Sequence, residues 1–158
     1  MKLARAIHFD DSDRNVFHSP ARTGELCISG GFEFSNWSDG DLEGKSRQAF
    51  SNGWLGLETF GRVTFVAVTQ IEPSERDAAE QALAQHFVDL YGAPSVEAAL
   101  SVAQEEIDQM VDLCDEHDAN TLLTVARELD EGGVREAYRV IEPQEAELDL
   151  LAVHVTDD

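Results

Sequence analysis

The sequence predicts an α+β fold, a mostly antiparallel β-sheet with a two-helix hairpin packed on one face. Three observations carry that expectation. Residues 48–71 are the densest β-type stretch, residues 73–114 hold two helical stripes joined by Gly92-Ala93-Pro94, and residues 121–141 read as a hairpin. At 158 residues the chain is most economically one domain, 1–158, able to bury roughly 70% of the surface its unfolded form exposes.

Residues 3–9 alternate as an early strand does, with Leu3, Ile7 and Phe9 on one side and Ala4, Ala6 and His8 on the other. Arg5 interrupts the apolar side. Residues 10–15 are Asp, Ser, Arg and Asn, whose short polar side chains compete for backbone groups and suit a turn. A second extended region is expected over 16–34, where Leu26 and Ile28 share a parity that Phe32 and Phe34 resume after Gly30-Gly31.

Residues 36–44 form a Gly, Asp and Ser-rich loop. A short helix follows at 45–51, with Asn52-Gly53 as its left-handed end. Leu55 and Leu57 then alternate with polar or small neighbours, and the pattern restarts after Phe60-Gly61 as Val63, Phe65, Ala67 and Ile71. That reads as a hairpin whose second arm, 63–71, is apolar on both faces, as a central strand is.

Pro73-Ser74-Glu75-Arg76-Asp77 marks a helix start, with Ser74 as the cap and acids at the positive end of the macrodipole. Ala79, Ala82, Leu83, His86, Phe87 and Leu90 fall on one stripe, and Gly92 with Pro94 ends the helix. Ser95 caps a second helix whose stripe runs through Ala99, Ala103, Ile107, Met110 and Cys114. Turn chemistry at Asp130-Glu131-Gly132-Gly133 joins strands at 121–129 and 134–141. Residues 142–158 are expected as a terminal strand, at 148–155, or a frayed tail.

The net charge of −21, from 11 basic against 32 acidic residues, repels phosphate backbones and anionic lipid headgroups, which excludes nucleic-acid and membrane-surface roles. The plain reading of such acidity is solubility. No apolar run approaches the roughly 20 residues that span a bilayer, and residues 1–10 turn acidic before an export signal takes shape. A cytoplasmic protein with reduced Cys27 and Cys114 is expected.

Candidate metal sites are incomplete. Asp39-Gly40-Asp41-Leu42-Glu43-Gly44 opens like a calcium loop, but Phe50 stands where the closing Glu belongs. Asp11 to Asn15 repeats the alternation without the glycine or the closing acid. Cys114 and His117 are spaced as a zinc half-site, yet Cys114 continues an apolar stripe, and a thiolate is disfavoured among Asp112, Asp115, Glu116 and Asp118. His86, on its helix's apolar stripe, reads as a buried, hydrogen-bonded histidine or as one at the edge of the helix interface. No phosphate-binding, dinucleotide or nucleophile-elbow motif is present. No metal, cofactor or catalytic residue is therefore assigned.

Two sets of polar residues remain as site candidates. Arg47, Trp54, Glu58 and Arg62 gather near the first hairpin, where the arginines could hold a small anion or carboxylate and Trp54 could line a cleft. Glu105, Glu106, Asp108 and Asp112 lie on the second long helix, in a stretch with no Lys or Arg between Arg76 and Arg127. Acid near that helix's C-terminus opposes the macrodipole, so it does not serve local helix stability. A docking face for a basic protein partner is the functional reading.

Residues 44–62, from Gly44-Lys45-Ser46-Arg47 to Phe60-Gly61-Arg62, together with the opening Leu3-Ala4-Arg5-Ala6-Ile7-His8-Phe9-Asp10, resemble an uncharacterised family of short bacterial proteins. The likeness covers nearly the whole chain and brings no catalytic residue. It implies an accessory role, beside molybdenum-dependent formate-dehydrogenase-type systems and lipoate or biotin ligase-like proteins. The leading expectation is thus a non-catalytic acidic accessory protein that assists a metalloenzyme system. The alternative is a small-molecule binding protein or enzyme using Arg47, Trp54, Glu58 and Arg62. A homodimer stays open, with no residue arguing for it.

Overall fold

A computed structural model describes residues 1–9, 12–35, 37 and 39–141. The strands are β1 (Lys2–Ile7), β2 (Leu26–Ile28), β3 (Trp54–Gly56), β4 (Arg62–Val63), β5 (Phe65–Gln70), β6 (Leu122–Asp130) and β7 (Gly133–Ile141). The helices are α1 (Ser12–Val16), α2 (Gly44–Asn52), α3 (Pro73–Tyr91) and α4 (Val96–Asp115), with 3-10 turns at Gly31–Phe34 and Asp39–Asp41. This is the α+β class the sequence predicts, with the α3/α4 pair on one face of an antiparallel sheet. The expected strand at 148–155 lies outside the described residues.

The seven strands run in the order β4-β3-β2-β1-β5-β6-β7, every pair antiparallel. Thr64 alone separates β4, at the margin, from β5, deep in the sheet, and the sheet spans that separation by curling. The expected hairpin is therefore real only over Arg62–Val63, which pairs with β3; β5 pairs with β1 and β6. At the bend, the Thr64 hydroxyl donates to Asp13 Oδ1 at 2.8 Å. The curl also brings distant strands together, so that Trp54 of β3 stacks on Tyr138 of β7 with ring centroids 5.7 Å apart.

In β1 the expected alternation is broken at its start: Leu3 as well as the small-residue side, Ala4 and Ala6, belongs to the main core. Ala4 and Ala6 pair in register with Val68 and Val66 and join the cluster of Leu83, Ala103, Ile107 and Cys114. Small side chains there let α4 lie close over β1. Ile7 belongs instead to a lesser cluster with Phe65, Ala67, Leu122 and Ile141.

Several local expectations are corrected by specific contacts. The region 16–34 is a strand only at Leu26–Ile28, because Gly30 at φ 73° turns the chain off the sheet into the Gly31–Phe34 turn. A side chain at Gly30 would run into Leu55, so that crossing needs glycine for space as well as for conformation. Part of the expected turn over 10–15 is α1, held by buried Asp13, which bonds His8 Nδ1 at 2.7 Å and Thr64. Helix α3 starts on Glu72, not Ser74: Pro73 takes the first helical position, and the Glu75 carboxylate accepts from the Glu72 N–H at 3.1 Å. Gly53 ends α2 extended, at φ −89°, because the chain passes directly into β3. Ser95 caps α4 as expected, its hydroxyl accepting from Ala98 N–H at 3.0 Å, and Gly92 closes α3 at φ 74°.

Candidate functional site

Three elements converge beside the β3–β4 loop. The 31–34 turn supplies Glu33, β4 supplies Arg62, and the last turns of α3 supply His86 and Tyr91. Glu33 Oε1 accepts from Arg62 Nη2 at 2.6 Å; Oε2 accepts from the Tyr91 hydroxyl at 2.6 Å and from His86 Nε2 at 3.0 Å. An ionised carboxylate only accepts, so Nε2 carries the proton in that bond. Phe60 lies flat on the His86 ring, centroids 3.9 Å apart and planes 2° from parallel, despite a backbone φ of 57°. That left-handed conformation costs a non-glycine residue about 1–2 kcal/mol, and the stacked pair holds it in place.

The Glu33 carboxylate stays charged although it is largely buried. Burial alone would raise its pKa, but the His86 hydrogen bond, the Arg62 charge and the Tyr91 hydroxyl together hold it down at about 2. Tyr91 is pushed up, first by burial and then by its bond to Glu33, so its hydroxyl is a donor and not a base. Burial and the neighbouring Arg127 bring Arg62 down to about 10, against the pull of Glu33.

Glu33, Arg62, Tyr91 and Phe60, but not His86 behind them, border a cleft of about 330 Å³. Phe60, Arg62, Glu33 and Tyr91 form one side of it. Phe17, Phe34 and Trp37 add aromatic wall, while Ser19, His18 and Ser46 supply polar groups at positions the chain leaves half-buried or exposed. The arrangement is an open cleft with five Phe, Trp and Tyr side chains in its wall and a fixed negative charge, and its hydroxyl and imidazole groups can orient a bound molecule.

The hairpin candidates divide. Arg62 lines the cleft, but its Nη groups donate to the carbonyls of Ser29, Gly53 and Gly30 as well as to Glu33, and its guanidinium lies 4.6 Å over the Phe34 ring. Arg47 is exposed on α2, one residue past Ser46 at the cleft. Trp54 is fully buried against Tyr138, its indole N–H without a partner among the described residues. Glu58 is exposed and pairs with Arg22 at 2.8 Å, edging a separate hollow with Arg5 and Glu75. The structure therefore does not bring the four to one place.

The acidic candidates divide as well. Glu105 and Asp112 face solvent. Asp108 is bound to Arg76 of α3, which also holds Glu80 at 2.7 Å, so it ties the two helices together. Glu106 is half-buried beside Glu136, its pKa raised by burial and then by the charges of Glu136 and Glu105.

Residues the sequence did not single out organise the region. Arg127 of β6 crosses the curled sheet to donate to the carbonyls of Phe50 and Gly53, at 3.0 and 2.7 Å, and to Glu136 at 2.9 Å. It thereby satisfies carbonyls at the C-terminal end of α2. Buried Glu25 accepts from the backbone N–H groups of Arg22, Glu58 and Thr59 and from the Thr59 hydroxyl, fixing the β3–β4 loop that presents Phe60. Glu33 gave no signal, because it stood between two phenylalanines read as strand. His86 was legible as a buried, bonded histidine, though its partner was not.

Cys27 and Cys114 are both buried and free. Among the described residues no group of three or more His, Cys, Asp or Glu is arranged to hold a metal ion. Likewise no described helix is long and apolar enough to cross a membrane. A family model described as a family of unknown function, DUF6505, matches residues 1–158. No curated protein and no solved structure matches the chain.

Proposed function

The chain belongs to DUF6505, a family of unknown function, and from that premise we propose that it is a small-molecule-binding protein whose site is the Glu33 cleft. The observation that carries the reading is the union of an aromatic-walled cleft of about 330 Å³ with a carboxylate kept ionised at its edge. Within the fold Glu33 offsets the buried charge of Arg62, and its place in the cleft lining puts the same carboxylate within reach of a bound molecule. Binding, not turnover, is the role these groups suit. Glu33 is committed to three donors, and Tyr91 is a poor base.

The test is a thermal-shift screen of small organic molecules, followed by titration of the fluorescence of Trp37, which lies in the cleft wall. A true ligand raises the melting temperature with the logarithm of its concentration. Its effect shrinks in Phe60→Ala and Ser46→Ala. Ligands that bind the wild type and both variants equally would place the site elsewhere and end the proposal.

A second reading concerns partners. Glu105, Asp108 and Asp112 all face solvent on α4, Asp108 while bonded to Arg76, and they support docking of a basic protein in an accessory role to a metalloenzyme system. Capture of a basic partner from native extract should fail after Glu105→Lys and Asp112→Lys. Unchanged capture removes the docking claim. A cytoplasmic location, with both thiols reduced, belongs to the same proposal.

A further inference from the structure

We infer that the ligand of the Glu33 cleft is an organic cation, a protonated amine carried on an aromatic or apolar body. This rests on the binding reading above and names its ligand class. Acceptor capacity comes first. An ionised carboxylate offers about four acceptor positions; among the described residues Glu33 Oε2 receives two donors and Oε1 one, from Arg62. A place on Oε1 remains for a donor from the cleft.

The same geometry disfavours an anion. Arg62 is the cation that lines the cleft from within the fold, yet its Nη donors are spent on three backbone carbonyls and Glu33, and Phe34 covers its guanidinium face. An incoming carboxylate would have to break those bonds and approach Glu33. A cation meets the opposite conditions: the cleft wall includes the aromatic side chains of Trp37, Phe60 and Tyr91, and aromatic rings attract cations. The chain's net charge of −21 draws it in from a distance.

Tyr91 has a defined part in this. Its ring is half exposed, at 48%, and its hydroxyl reaches the carboxylate at 2.6 Å from the edge of the cleft. It fills one acceptor position on Oε2 that an ammonium group could use. The hydroxyl is thus a competitor that an amine displaces or shares with, and removing it should help amine binding and leave neutral binding alone.

Three probes with one phenyl body separate the possibilities: phenethylammonium, 2-phenylethanol and 3-phenylpropionate, titrated at pH 7 by calorimetry and by Trp37 fluorescence. The expected order places the ammonium about tenfold tighter than the alcohol, with the carboxylate weakest. Glu33→Gln should erase the difference between ammonium and alcohol. Because that variant also loses the Arg62 ion pair, Tyr91→Phe provides an independent check, with a few-fold gain for the ammonium and none for the alcohol. Alcohol or carboxylate binding as tightly as the ammonium, or ammonium affinity falling in Tyr91→Phe, overturns the cation assignment while leaving the binding site intact. Failure of all three to saturate overturns both.

Discussion

Arg62 and Arg127 donate to the same carbonyl, that of Gly53, at 3.0 and 2.7 Å. They also flank one ring, with their guanidinium carbons 4.6 and 5.4 Å from the centre of Phe34. Two buried like charges repel, and the arrangement holds because Glu33 answers one and Glu136 the other. The two arginines join α2, β3 and the 29–34 segment into a single unit, and the cleft is built on its outer side.

Arg127→Lys should therefore be costly although it keeps the charge. A lysine ammonium is a point donor that cannot span the carbonyls of Phe50 and Gly53 and the Glu136 carboxylate together. The expected loss is about 3 kcal/mol, from buried acceptors left open and an ion pair weakened. Urea denaturation measures it directly. A loss below about 1 kcal/mol would mean that water replaces the guanidinium at these carbonyls.

Stability should fall in acid through Glu33. Its carboxyl titrates at about 2 in the fold against an ordinary value of 4.5. A group whose folded pKa is depressed contributes its stability above the unfolded pKa, and that contribution is lost as pH falls from about 4.5 toward 2. The amount is on the order of 3 kcal/mol. Glu33→Gln should be less stable than wild type at pH 7 and should lose less on acidification across this window. Parallel stability curves for the two proteins from pH 6 to pH 2.5 would contradict it.

Gly56→Ala tests the loop support. A methyl group there would stand against the Glu25 carboxylate, and this is no free side chain, since four donors from Arg22, Glu58 and Thr59 hold it. The substitution should cost about 2 kcal/mol as overpacking. In Glu25→Ala the obstacle is gone, so the double variant should be less destabilised than the sum of the singles. Additive losses would show that Glu25 moves aside freely.

What the sequence made legible followed from periodicity. The stripes of α3 and α4, the Ser95 cap and the β6–β7 hairpin each repeat a local pattern and are where expected, save Leu90, which the end of α3 leaves exposed. Contacts across the curl have no local signature. Arg127 lies 74 residues from Gly53, and Glu33 lies 53 residues from His86. Arg47, Trp54, Glu58 and Arg62 separate because they stand on different elements: Arg47 is exposed on α2, Trp54 buried in β3, Glu58 exposed in the β3–β4 loop and Arg62 in β4 beside the cleft. Residues 48–71 do adjoin the cleft, through Ala49, Phe60 and Arg62.

The thiols provide a last test, because they report opening of two different parts of the fold. Burial raises the Cys27 pKa, helped by Glu25, and brings Cys114 to about 12, helped by Asp115. Neither forms appreciable thiolate at pH 8, so iodoacetamide should label neither in the native protein on the timescale that labels both in denaturant. Their slow native labelling should differ. Cys27 sits inside the sheet on β2, paired with Ala4 and Gly56, whereas Cys114 lies in the last turn of α4, where helix ends fray. Cys114 should therefore react first, read by peptide mass analysis over time. Equal rates would mean that α4 opens only with the sheet, as one cooperative unit.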